Sequence, residues 1–222
     1  FGLFTTDEQV GRDLTRLFNE LSGYAIEKKF KRLLVAPLHL RKGLLRLIDK
    51  ERRNALAGKP AGVRIKVNSM VDEQIIDALY RASQAGVKVE VWVRGICSLK
   101  PGVEGLSENI TVRSILGRYL EHSRAFVFGS GEDRKVFIGS ADMMHRNLDR
   151  RVEAVVRLER PEHEQEIVDL FDLAFDEHTA GWTLGPDGEW AQHRVDQDGE
   201  PLRDYQSELQ ERHNTRRRRT TP

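Results

Sequence analysis

Val63-Arg64-Ile65-Lys66-Val67-Asn68-Ser69-Met70-Val71-Asp72, then Glu73 to Gly86, then Val87-Lys88-Val89-Glu90-Val91-Trp92-Val93, is the stretch on which the fold turns. Val63, Ile65 and Val67 alternate with polar residues, the period of a strand. Asn68 to Asp72 then form a loop that ends on an acid suited to cap a helix. Ile75, Ile76, Leu79, Tyr80 and Ala82 share one helical face, and Gly86 stops the helix. Val87, Val89, Val91 and Val93 alternate again. A strand, a helix and a second strand within about 30 residues predict two parallel strands joined by a right-handed crossover.

Outward from this unit the pattern repeats in kind, though no internal sequence repeat is visible. Leu33 to Pro37 is a short apolar run closed by proline, a buried strand, and Arg41–Leu56 reads as a helix broken by Gly58-Lys59-Pro60. Ahead of them, Thr6-Asp7-Glu8-Gln9 has the form of a capping box with Thr6 as the cap, leading into Val10, Leu14, Leu17, Phe18 and Leu21. On the other side, Ile110, Val112 and Ile115 suggest a strand. Arg124–Phe128 and Lys135–Ile138 read as a hairpin across Gly129-Ser130-Gly131-Glu132-Asp133, and Glu153–Leu158 as a further strand. Pro161–Thr179 reads as one long helix opened by proline. The expected class is α/β, a mixed β-sheet flanked by helices.

The 222 residues suit one large domain or two small ones. A single cysteine, Cys97, excludes an internal disulfide framework and a multi-cysteine zinc site. No apolar run is long enough for a membrane-spanning helix, and the start has no signal-peptide pattern. A net charge of +1 argues against a globally basic nucleic-acid binder. The opening on Phe1 rather than Met leads us to expect a piece of a longer protein. We expect residues 1–185 to form the domain. Residues 186–222 read as a polar extension ending in a disordered, arginine-rich tail, because they are acidic up to Gln210 and arginine-rich after it.

Two groups of residues could carry chemistry. His122 and Arg124 lie two apart, so on a strand they face the same way. After the hairpin comes Gly139-Ser140-Ala141-Asp142, a layout that approximates the His-x-Lys and Gly-Ser-x-Asn pattern of phospholipase-D-like phosphoryl-transfer sites, with Arg for Lys and Asp for Asn. A histidine can handle a proton or a phosphoryl group, and a cation can hold phosphate oxygens. On the residues alone, a structural histidine at a strand start fits equally well. Arg94, at the carboxyl end of the Val87–Val93 strand and followed by Gly95, is a candidate phosphate grip, or else a surface arginine. Asn68-Ser69 occupies the same position after its own strand. His39 also follows a strand end. His163, His178, His193 and His213 read as solvent-facing. Arg146, Asn147, Asp149, Arg150 and Arg151 form a dense polar cluster, and we expect some of them to pair with one another as structural ion pairs.

Together these segments resemble the class 1 polyphosphate kinases. Val93-Arg94-Gly95-Ile96-Cys97-Ser98-Leu99-Lys100-Pro101-Gly102 is similar to that family's VRGIC segment, and Lys66 to Asp72 to its KxNSLxD turn. Glu121-His122-Ser123-Arg124 and Ser140 through Glu153 also fit it, as do Phe1 to Thr5 and Leu33 to Pro37. The resemblance implies two phospholipase-D-like C-terminal domains facing each other, this chain being the last. It implies reversible transfer of the γ-phosphate of ATP to inorganic polyphosphate through a phosphohistidine in the preceding domain. Arg94 then corresponds to an arginine that binds ATP and phosphate, and His122 to a second active-site histidine, with Arg124, Asn68 and Ser140 as further candidates. ATP and magnesium are implied, the magnesium ligands lying upstream and none in this chain. Also implied are the upstream domains as partners, a homo-oligomer, and a cytoplasmic place with membrane association as a variant. Met143 stands where the family usually has Trp, and His39 where Asn is common. Two other readings remain open: a phospholipase-D-like phosphodiesterase or nuclease acting as a dimer with His122 as nucleophile, and a non-catalytic phosphate-binding module.

Overall fold

The structure, a computed structural model, describes residues 2–24 and 29–220. Its elements run α1 (Glu8–Leu21), β1 (Leu33–Ala36), α2 (Leu40–Leu56), β2 (Gly62–Val67), α3 (Glu73–Gln84), β3 (Lys88–Val93) and β4 (Ile110–Ser114). There follow β5 (Arg124–Phe128), β6 (Lys135–Gly139), β7 (Glu153–Arg157), α4 (Pro161–Phe175), β8 (Gly181–Leu184), β9 (Trp190–His193) and α5 (Tyr205–Thr220). Nine strands form one sheet in the order β1-β7-β6-β5-β2-β3-β4-β8-β9. The expected mixed sheet is present: β2, β3 and β4 are parallel, and every other pairing is antiparallel.

Side-chain alternation sorts the sheet into two buried faces. Val63, Ile65, Val67, Val89, Val91, Val93, Phe126 and Phe128 pack with Leu44, Ile48, Ile75 and Leu79 of α2 and α3. Trp92, Ala125, Val127, Val136 and Ile138 point the other way, toward Ile167, Phe171 and Ala174 of α4 and Tyr205 of α5. Helices therefore cover both sides, and the sheet is the middle layer. Leu17 of α1 packs on Leu33 and Val35 at the β1 edge.

The local signals mostly act as expected. Asp72 caps α3 by accepting from the Ile75 amide at 3.1 Å. The cap of α1 is Asp7, not Thr6: its carboxylate accepts from Val10 N at 2.8 Å. The helix after Pro161 ends at Phe175, four residues early, and Thr179 is buried in a bridge to Arg203.

The segment beyond residue 185 differs most from expectation. β9 extends the sheet by pairing with β8 from Gly181↔His193 to Leu184↔Trp190. The expected disordered tail is helix α5 up to Thr220; the side chains of 216–220 lie outside the described residues. Its first turn is held by Asp204, which accepts from Ser207 N at 2.8 Å, and by burial of Tyr205 and Gln206. Glu208 and Arg212 add an i,i+4 pair. Polar composition hid a helix anchored by Tyr205 and Gln206 in its first turn and by Leu209 just after it.

Candidate phosphate site at one sheet edge

The strand directions assemble the site. The carboxyl ends of β2, β3 and β6 and the amino ends of the antiparallel β5 and β7 all fall on one edge of the sheet. Asn68 after β2, Arg94 after β3, Arg124 at the start of β5 and Asp142 after β6 meet there, although up to 74 residues separate them in sequence.

A continuous polar line joins them. Arg94 Nε donates to Asn68 Oδ1 at 2.9 Å. Asn68 in turn gives its backbone N–H to Asp142 Oδ1 at 2.6 Å and its amide Nδ2 to the same carboxylate at 3.2 Å. Arg124 grips Asp142 from the other side, Nη2 to Oδ2 at 2.8 Å and Nε to Oδ1 at 3.3 Å. Its Nη1 also donates to the His122 carbonyl at 2.8 Å and lies 3.1 Å from His122 Nδ1. Asn68 and Asp142 are buried, Arg94 and Arg124 half-buried, and His122 exposed. The buried acid thus holds a frame, and the basic groups form its outer surface. Beside His122 and Arg124 opens a cleft of about 810 Å³, walled on the other side by Val10, Leu14 and Val156.

The charges follow from this arrangement. Burial alone would raise Asp142, but the Arg124 and Asn68 hydrogen bonds outweigh it and hold the carboxyl below its usual range. His122 is pushed down, first by the Arg124 charge, then by burial and by Arg94, with Lys66 adding to the effect against Asp142. Its neutral form is therefore favoured, since protonation would add a charge to a surface already rich in cations.

Lys66 is the member that sequence reasoning missed. It occupies a polar slot of the β2 alternation, yet it is 3% exposed. Its Nζ lies 4.1 Å from the Trp92 ring centroid and 3.1 Å from Glu121 Oε2. Burial lowers its pKa, and Glu121 only partly offsets this. Trp92 sits directly across from Lys66 in the parallel register of β2 and β3, which places the cation over the ring.

The other candidates divide. Ser140 lines the same cleft as His122 but is engaged at the strand edge: its hydroxyl donates to Glu153, at very short range, and accepts from Ala154 N at 3.2 Å. The space at Gly95 is taken by the chain itself: an added Cβ would lie 2.9 Å from Asn68 O, so glycine here lets β3 close on β2. His39 lies at the start of α2, edge-on to Phe30 at 6.3 Å between ring centroids, away from the line. The ion pairs expected within residues 146–151 are not found among the described residues: Asn147 donates to Glu153 at 2.6 Å, and Asp149 instead binds Arg41, which also binds the buried Asp72 at 2.8 Å. His145 joins them, 2.7 Å from Glu73 and 3.3 Å from Asp149. Its pKa is raised, chiefly by Asp149 and then by Glu73. Asp149 is held down to about 2, chiefly by Arg41.

Comparison with known proteins places the whole chain in a family. The family described as "Polyphosphate kinase C-terminal domain 2" matches residues 33–204. The chain belongs to the polyphosphate kinase family. A polyphosphate kinase of Streptomyces coelicolor is 59% identical over 221 residues, covering 100% of this chain and 30% of that relative. One from Mycolicibacterium gilvum is 52% identical over 211 residues, 95% of this chain and 28% of the relative. The chain thus spans about a third or less of the length of the curated polyphosphate kinases it matches. The crystal structure of polyphosphate kinase from Porphyromonas gingivalis superposes with a TM-score of 0.89 at 34% identity, covering 98% of this chain and 33% of that one. A phospholipase D family member from Salmonella typhimurium, Nuc, shares the fold at a TM-score of 0.52 and 16% identity, over 69% of this chain and 97% of that one. The phospholipase-D-like fold that the family resemblance implies is therefore the fold of this domain. Among the described residues, no helix is long and apolar enough to cross a membrane.

Proposed function

We propose that this chain is the C-terminal part of a polyphosphate kinase that reversibly moves the γ-phosphate of ATP onto inorganic polyphosphate, through a phosphohistidine outside this chain. In this reading Arg94 and His122 bind the nucleotide's phosphates. The observation that carries it is the line Arg94–Asn68–Asp142–Arg124–His122 across the sheet edge. It fixes two guanidinium groups and an imidazole along one sheet edge, Arg124 and His122 lining an open cleft, with the only carboxylate of the line turned inward.

The chemistry asked of such a site is modest. A transferring phosphoryl group needs placement and offset of charge on its oxygens more than covalent help from the second histidine. Arg94 has one guanidinium edge committed to Asn68, so its orientation is set before a ligand arrives. His122 is kept neutral by the surrounding cations. A bound polyanion reverses that field and raises the imidazole's basicity, so that it can hold a proton at the oxygen that leaves or attacks. Arg124 supports both, because its bonds to Asp142 and to the His122 carbonyl fix the imidazole's place.

Magnesium does not fit the same residues. The two carboxylates nearest His122 are spent: Asp142 on Arg124 and Asn68, Glu121 on Lys66 and Gln206. No step proposed here runs through a metal held by these groups. ATP, ADP and polyphosphate are the proposed ligands. Upstream domains of the longer chain and a second copy are the proposed protein partners, and the cytoplasm is the proposed location.

The test is ADP release from ATP with polyphosphate by the full-length enzyme carrying Arg94→Ala or His122→Ala. Loss of turnover in both supports the reading. Phosphodiester hydrolysis by the present chain alone, abolished by His122→Ala, would replace it with the phosphodiesterase reading.

A further inference from the structure

His122 ends a loop that Arg124 holds at one point, Nη1 donating to the His122 carbonyl at 2.8 Å. Among the described residues, the main chain from Leu116 to Ser123 makes no hydrogen bond to other main chain, and Leu116, Tyr119 and Leu120 are exposed. Its other mooring comes from the far end of the chain. Gln206, in the first turn of α5 and 7% exposed, accepts from Tyr119 N and donates to Tyr119 O, both at 2.8 Å. The same Nε2 donates to Glu121 Oε1 at 3.0 Å. Glu121, next to His122, carries its other oxygen to buried Lys66 at 3.1 Å. The clamp is built in from both sides. Tyr205 packs edge-on to Trp92 at 5.0 Å between centroids, which sets the α5 turn against the sheet. At Gly117 an added Cβ would fall 2.4 Å from Gln206 Oε1, so only glycine lets the amide come this close.

We propose that Gln206 is a positioning residue for His122: α5 holds the histidine's loop in register with Arg124 through one side-chain amide. An amide is suited to this, because it meets a backbone N–H and C=O with a donor and an acceptor at once and still reaches a carboxylate. The proposal rests on the reading of His122 given above and adds to it a dependence on a helix that begins just beyond the family match at residue 204.

The experiment uses the full-length enzyme with ATP and polyphosphate, and compares Gln206→Ala, Gly117→Ala and each combined with His122→Ala. Displacing a reacting group by about 1 Å costs up to about 100-fold, so each single variant should lose about 10- to 100-fold in kcat, with KM for ATP changed less than about twofold. The loss should vanish in the His122→Ala background, because a residue that acts only through His122 has nothing left to position. Wild-type kcat in Gln206→Ala, or an equal fold-loss with and without His122, overturns the proposal while leaving the site reading intact. Wild-type kcat in His122→Ala overturns the site reading and this proposal with it. Should Gln206→Ala fail to fold, Gly117→Ala, which keeps the glutamine, is judged by the same outcomes.

Discussion

Two histidines near the same sheet edge have opposite electrostatic surroundings. His122, two residues before β5, faces Arg124, Arg94 and Lys66, and its pKa falls. His145, six residues after β6, faces Asp149, Glu73 and Asp72, and its pKa rises. The difference lies in how the charges are spent. Around His145 three carboxylates, Asp72, Glu73 and Asp149, share Arg41 and the imidazole, so the acids are in excess. Around His122 one buried carboxylate anchors the frame, and Arg124 lines a cleft together with the imidazole. The cation-rich cluster is the one proposed above as a receptor for an anion; the acid-rich cluster ties α2 and α3 to the loop after β6.

The sharpest way to break this contrast is at its proposed receptor. Arg94→Ala in the full-length enzyme should reduce turnover by about 1,000-fold, the scale at which a phosphate-gripping arginine acts. Turnover within about twofold of the parent would make Arg94 a surface residue. Next comes Asp142→Ala. It strips Arg124 and the Asn68 amide of their buried partner, which should lower the unfolding free energy by about 3–5 kcal/mol in denaturant titration. A loss under about 1 kcal/mol would mean that the frame is held by other contacts. The matched change in the acid-rich cluster, Asp149→Ala, should cost at most about 1 kcal/mol, because its pair with Arg41 is 42% exposed on the acid's side. It should leave turnover unchanged. A large loss of activity there would erase the distinction between the two clusters.

The smallest effect is in pH. Both imidazoles start from an ordinary value of 6.5. His122, depressed in the folded state, favours folding above 6.5, and that contribution is lost as pH falls through its folded pKa. His145, raised in the folded state, contributes below 6.5, and its share is lost as pH rises through its folded pKa. Imidazole resonances followed by NMR should titrate on opposite sides of 6.5. Coincident midpoints would show that solvent screens both clusters alike.

The contrast also marks what could be seen in advance. Asp72 as a cap, the strand–helix–strand unit, the hairpin after Phe128 and the place of Arg94 at a strand end all depend on neighbours a few residues away, and they were legible. Lys66 was not, because its partner Trp92 is 26 residues on and meets it only once β2 and β3 pair in register. Thr6 was mistaken for the cap of α1 because Thr6 and Asp7 are both competent caps, and the choice belongs to the turn that docks. Residues 186–222 were read as an extension because hydrophobic pattern is the main signal, and α5 spends its burial on Tyr205, Gln206 and, in part, Leu209.

Sequence alone determined the fold class and the direction of the central strands, since alternation and caps are local and follow from the physics of single elements, and the likeness of its long motifs to known segments pointed to the family. Tertiary structure decided the rest: that Asp142 faces inward to anchor Asn68 and Arg124, that Ser140 is bound to Glu153, and that a glutamine near the end of the chain holds the loop of His122. Those partners are separated by 13 to 87 residues. Long-range hydrogen bonds of this kind depend on sheet order and register, and a buried polar group takes whichever partner that packing brings within reach.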